Sequence, residues 1–257
     1  MAFEADLLVD YPDSWQRFLA EIASYYSIPS YTAPAQDDQR PPRFPLLAAD
    51  TLVGAASDYL HGDAIQHGGL TWTCGQGQDY VRTGDDTGVA QGRNGYNKLA
   101  QVDVGVLSQH VSVDTFYSAV VNQPNRYGGL AIRGNSVTDT IFVAPYGVAG
   151  HATLSARWWL GKRAPAGTDQ LVGGDYFTGP ELFDQQWYTI EAWAVGNVIT
   201  VAIDGVVYHE HELTGTDVDD YGVSSTATNV GLFSVGYAAS EGQRLRNFKC
   251  WRTYGGQ

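Results

Sequence analysis

Three stretches carry side chains whose types and spacing could do chemistry. In residues 152–160, alternation puts Ala152, Leu154, Ala156, Trp158 and Leu160 on one side of a strand, and Thr153, Ser155, Arg157 and Trp159 on the other. The first set reads as core. The second sets an exposed indole beside a guanidinium, so Trp159 could cover the apolar face of a sugar while Arg157 bonds its hydroxyls or carboxylates. The run His209-Glu210-His211-Glu212 projects both imidazoles to one side of an extended strand, as His-x-His metal pairs do, but no third ligand follows from spacing. Asp217, Asp219 and Asp220 fall in a glycine-flanked loop, Gly215 to Gly222, and clustered carboxylates suit calcium. The plainer readings are a packed Trp159, a polar strand edge and a solvated acidic loop.

Catalytic patterns are weak. A glycosidase needs two carboxylates facing one sugar bond, and sandwich glucanases place them on one strand as Glu-x-Asp-x-Glu, a run that does not occur here. Glu191 stands alone, with Thr189 and Trp193 at its same-face positions; Glu210 and Glu212 are the nearest thing to a pair. There is no Gly-x-Ser-x-Gly elbow, no phosphate loop and no Cys–His pairing of useful spacing. The expectation is a protein that is not an enzyme.

The elements that must position these residues are strands. From about Leu47 the apolar period is two, with runs at 99–106, 110–121, 128–133, 140–146, 152–160, 187–195, 197–208, 229–235 and 244–251. Gly134-Asn135, Val195-Gly196-Asn197 and Asp204-Gly205 supply turn signals between them. The front of the chain differs. Trp15, Phe18, Leu19, Ile22 and Tyr26 form one stripe of a helix over 13–26, with Asp13 as N-cap. Pro29, Pro34, Pro41, Pro42 and Pro45 then enforce an extended segment. The division expected is a docking arm, 1–46, and an all-β, two-sheet antiparallel sandwich, 47–257. A short helix cannot bury its stripe alone, so the arm must dock on its own sandwich or on another protein.

Composition narrows the function classes. The 257 residues include 30 Gly, 16 Tyr and 7 Trp but one Met, which favours strands and tight turns. Acidic residues outnumber basic ones 28 to 15, a net charge of −13, so phosphate backbones repel the chain and nucleic acid is a poor partner. No stretch approaches the roughly 20 apolar residues that span a bilayer. Met1 to Asp10 lacks the basic start and apolar run of a secretory leader. Cys74 and Cys250 are too few for a disulfide framework; a single bridge between first and last strands and two buried thiols both remain open.

Several motifs together resemble one family. Trp187-Tyr188-Thr189-Ile190-Glu191, Gly196-Asn197-Val198-Ile199-Thr200-Val201 and Ile203-Asp204-Gly205-Val206 resemble the recurring Trp-headed strand and hairpin of concanavalin A-like lectin/glucanase (laminin-G-like) jelly-roll domains. Asn229 to Ser234 resembles the penultimate strand of such domains, Arg246-Asn247-Phe248 the closing strand, and Gly129-Leu130-Ala131-Ile132-Arg133 a middle one. Asp50-Thr51-Leu52 through Gly69-Leu70-Thr71-Trp72-Thr73 resembles the opening of such domains in bacterial and bacteriophage surface proteins. The resemblance covers about 48–254 and is specific for fold, since this scaffold hosts lectins, glycosidases and assembly modules alike. It implies a virion protein of the minor-tail or capsid-attached type, whose arm contacts other virion proteins and whose sandwich binds host glycan, alone or as a homo-oligomer. The alternatives are a stand-alone carbohydrate-binding protein and a glycan-cleaving enzyme; calcium is the one cofactor left open.

Overall fold

The computed structural model describes residues 45–257, apart from the short stretches 57, 78, 85–87, 92–94, 118–126, 147–156, 165–166, 172–175, 237–243 and 254–257. The stripe of Trp15, Phe18, Leu19, Ile22 and Tyr26 and most of the proline-rich segment lie outside the described residues.

Period-two alternation has the outcome that physics requires: two sheets, each turning one side chain in two toward the other. The first sheet runs β14 (Val206–Glu212), β13 (Val198–Ile203), β12 (Gln186–Val195), β6 (Gln109–Tyr117), β16 (Arg244–Arg252), β4 (Val89–Gln91) and β3 (Tyr80–Arg82), with β1 (Leu46–Asp50) also on β16. The second runs β10 (Gly167–Gln170), β9 (Arg157–Ala164), β8 (Asp139–Pro145), β7 (Tyr127–Ser136), β15 (Asn229–Gly236), β5 (Gly95–Asp103) and β2 (Thr73–Cys74), with β11 (Tyr176–Thr178) also on β9. Neighbouring strands pair antiparallel, for example β12 with β6, β15 with β5 and β7 with β8, giving a jelly-roll sandwich.

One apolar cluster fills the space between the sheets. Val111, Val113, Ile190, Ala192, Ile199, Val201 and Phe248 come from the first, and Ala100, Val102, Leu130, Ile132, Ile141, Val143, Trp158 and Leu160 from the second. Trp72 closes one end: its edge meets the Phe248 ring at 5.0 Å. Its indole N–H donates to Asp50 Oδ2 at 2.9 Å, while Asp50 Oδ1 accepts from the Leu52 amide at 2.7 Å.

Two of the three expected turns form as read. Asp204 and Gly205 have φ of 49° and 83°, the doubly positive pattern of a type I′ hairpin turn. At the β12–β13 hairpin Gly196 supplies positive φ. The third reading is corrected. Gly134-Asn135 lies inside β7, and the chain turns at Val137-Thr138 instead. The irregularity of β7 lies at Arg133, whose φ is 54° and where the β7–β8 register shifts. Arg133 is fully buried; its guanidinium donates to Tyr221 O at 2.6 Å and Gly196 O at 2.9 Å. Burial lowers its pKa to about 10, so it stays charged at neutral pH. The expected acidic loop is likewise a short helix, α1 (Thr216–Tyr221), packed by that bond onto β7.

Both cysteines are free thiols within the main core, Cys74 in the second sheet and Cys250 in the first. The open question of a bridge is thereby answered. Burial, with lesser contributions from Asp79 and Asp63, raises the Cys74 pKa to about 12, and burial raises that of Cys250 as well. Native protein at pH 8 should therefore leave both unalkylated by iodoacetamide over an hour, with two thiols titrating in guanidinium; rapid native labelling would contradict this packing. Arg133→Met, which removes the donor from a buried and a half-buried carbonyl, should cost about 3 kcal/mol in urea unfolding.

Candidate functional site

Because Ala100 and Val102 point into the core, Leu99, Gln101 and Asp103 must face the other way from β5. The same rule places Ala131, Phe142, Ala144, Trp159, Phe233 and Val235 on this outer face of the second sheet, where with Leu99 they form a second apolar cluster. The face has an aromatic end and a polar end.

At the aromatic end Phe142 stacks on Phe233 at 3.9 Å and takes the edge of Trp159 at 4.9 Å. Tyr146 and Tyr176 close over Trp159 at 5.7 and 5.4 Å, and the exposed Arg157 guanidinium lies 5.5 Å over the Tyr176 ring. Trp159 is thus on the face expected but only 8% exposed. The exposed indole read from the sequence is corrected: Tyr176 of β11 and Tyr146, just after β8, cover it, and neither was visible as its neighbour from spacing. Arg157 keeps its exposed place.

The polar end holds a cleft of about 380 Å³ lined by Leu70, Thr71, Thr73, Gln101, Asp103, Ser136, Val137 and Asn229. Gln101 is paired across the sheet with Thr73 on one side and Gly231 on the other. It is 2% exposed, and among the described residues neither its amide oxygen nor its amide nitrogen has a hydrogen-bond partner. Gly134 makes the room: a Cβ there would sit 2.5 Å from Gln101 Nε2 and 3.0 Å from Thr140 Oγ1. Asp103 is fixed at the rim, where its Oδ1 accepts from Gly105 N at 2.9 Å and Thr228 Oγ1 at 2.6 Å.

The β7–β8 hairpin that supplies Ser136 and Val137 is held from α1. The Tyr221 hydroxyl donates to Asp139 Oδ1 at 2.5 Å, and Asn135 Nδ2 donates to Asp139 Oδ2 at 3.0 Å and Asp220 O at 3.1 Å. Burial and the bonded carboxylate raise the Tyr221 pKa, so this hydroxyl remains a donor. Nothing in the sequence singled out Gln101; the available signal was a glutamine flanked by the core residues Ala100 and Val102, beside Asp103.

The other candidates are spread over the molecule. His209 and His211 do share one side of β14, as expected, but it is the inner side: His209 stacks on Phe177 at 4.9 Å and lies 6.3 Å from His211. Asp217 is buried and bonds Lys162 Nζ at 2.8 Å, whereas Asp219 and Asp220 are exposed, so the three carboxylates do not converge. Among the described residues no group of three His, Cys, Asp or Glu side chains could hold a metal ion. Glu191 is fully buried, 3.4 Å from His110 Nε2, whose ring is stacked between Trp193 and Trp251.

No family model matches the chain, and no curated protein matches it. Among solved structures it is similar to a carbohydrate-binding module from Bacillus subtilis, at 13% identity over 77% of this chain and 99% of that one, TM-score 0.47. It is also similar to a galectin from Caenorhabditis elegans, at 10% identity over 58% and 88%, TM-score 0.38. A third likeness is to a Trypanosoma rangeli sialidase, at 9% identity over 81% of this chain but 31% of that one, TM-score 0.49.

The two histidines generate a pH prediction. Burial lowers the pKa of both below 6.5, with His211 lowering that of His209 further and Asp217 partly opposing the shift of His211. The unfolded chain therefore binds more protons, and stability is full above the unfolded value and lost as pH falls through it. The urea midpoint should be steady above about pH 7 and decline toward about pH 5, and a His209→Asn, His211→Asn variant should show a shallower decline over that window. An equal slope in the variant would remove these residues from the explanation.

Proposed function

We propose that this chain is a non-enzymatic carbohydrate-binding module whose ligand enters the cleft on the outer face of the second sheet. The observation that carries this reading is the Gln101 amide, buried at a concave site and without a hydrogen-bond partner among the described residues. A buried amide in that state costs about 1–3 kcal/mol, which a polar ligand atom recovers. Leu70, Val137 and the threonine methyls offer apolar carbon beside hydroxyls and amides, the mixture that suits a sugar ring.

The non-enzymatic part is supported by the scatter of carboxylates. Glu191 is sealed, Glu210 and Glu212 lie exposed on β14, and among the described residues Asp103 is the one carboxylate that lines the cleft. The finer reading is a component of a bacteriophage particle, tail or capsid. It is supported by the resemblance of Asp50 to Thr73 to the opening of concanavalin A-like domains in bacteriophage surface proteins, and by the leading segment, where Trp15, Phe18, Leu19, Ile22 and Tyr26 form an apolar stripe ahead of the prolines.

A glycan array should yield at least one bound saccharide. Val137→Trp, which fills the cleft from its rim, should abolish that binding with the thermal midpoint unchanged, and Glu210→Gln should bind normally. An array without a ligand would overturn the reading, and release of reducing sugar from the bound glycan would replace it with a hydrolase.

A further inference from the structure

We infer that the cleft selects uncharged saccharides, gripping two neighbouring hydroxyls with the Gln101 amide and turning away anionic sugars at Asp103; this rests on the carbohydrate reading above. An amide offers complementary halves, an oxygen that only accepts and a nitrogen that only donates. Both halves of Gln101 lack a protein partner among the described residues. A hydroxyl donates and accepts, so two adjacent ones on a sugar ring satisfy both halves together. A ligand carboxylate accepts only and leaves Oε1 unmatched, while an ammonium donates only and leaves Nε2 unmatched. Neither charged group completes the site.

The remaining lining agrees. Thr71, Thr73, Ser136 and Asn229 are neutral, and among the described residues no cationic side chain lines the cleft and Asp103 contributes its single charge. An anionic sugar would meet a carboxylate without a counter-charge, on a chain whose net charge is −13. Asp103 is held at the rim through Oδ1, which binds Gly105 N and Thr228 Oγ1. An asparagine there would retain that acceptor and remove only the charge. A peptide would need a run of free backbone along this edge, and β2 offers two residues.

Selectivity of this kind is read from what the site refuses. A site that pairs a buried polar group with a ligand hydroxyl rejects the deoxy analogue strongly, because the group is then left unmatched. The test takes the best neutral glycan found on an array, then compares by calorimetry its methyl glycoside, the deoxy analogues of that glycoside, and the uronate made by oxidising its C6. The neutral glycoside should bind at least about tenfold more tightly than the uronate and than one deoxy analogue. Gln101→Leu should weaken the neutral glycoside by about tenfold or more, and Asp103→Asn should narrow the gap to the uronate. Equal or tighter uronate binding overturns the inference, as does full affinity in a folded Gln101→Leu protein. Should Gln101→Leu not fold, Asp103→Asn decides, and an unchanged gap counts against the inference. A ligand that ignores both substitutions leaves carbohydrate binding standing and removes this site; the absence of any glycan ligand removes both.

Discussion

A strand can show only every second side chain to a given side, and β5 is the strand on which this constraint bears most. With Ala100 and Val102 committed to the core, Gln101 has no choice of face. It is held between Thr73 of β2 and Gly231 of β15, in the middle of an antiparallel ladder that cannot slip by one residue without turning the core outward. The cleft follows from that register. Gly134 leaves space over β7, and Ser136 and Val137 form a wall because Arg133 bends the strand before the hairpin closes.

The two ends of the outer face divide rigidity from recognition. Phe142, Phe233 and Trp159 interlock in a second apolar layer, so the sheet is packed on both sides there. Toward Asp103 and Asn229 that packing gives way to neutral polar groups. Stability alone would place leucine at position 101, since a buried amide without a partner is a local violation of the rule that polar groups inside proteins are paired. Folds keep such violations chiefly where they serve a task. The surrounding bonds are consistent with that view: Tyr221 to Asp139, Asn135 to Asp139 and Arg133 to Tyr221 all converge on the hairpin beside the cleft.

Long alternating strands were legible from the sequence because period two is a strong signal over eight or more residues: β6, β12 and β16 fall where the pattern puts them, while β5 starts four residues ahead of the expected run and ends three before its end. The strands β2, β3, β4 and β11 were not legible, since two or three residues carry no period. Gly134-Asn135 misled because the same dipeptide serves a turn or, as here, relieves crowding beneath a neighbour's side chain. Trp159 misled because alternation assigns a face but says nothing of what covers it, and Tyr146 and Tyr176 come from other strands. Asp217 looked like one of three loop carboxylates, yet a six-residue helix turns it toward Lys162, far away in sequence. Gln101 was invisible for a related reason: its significance lies in which partners it lacks, and that is a property of the assembled sheet.

The most direct test follows the Gln101 side-chain amide by nuclear magnetic resonance while the saccharide selected on the array is added to labelled protein. The account predicts that the two Nε2 proton signals shift and slow their exchange with solvent, together with the backbone amides of Thr73, Ser136 and Asn229. Unmoved Gln101 signals, with perturbations gathered around Glu210 or Arg157 instead, would contradict it.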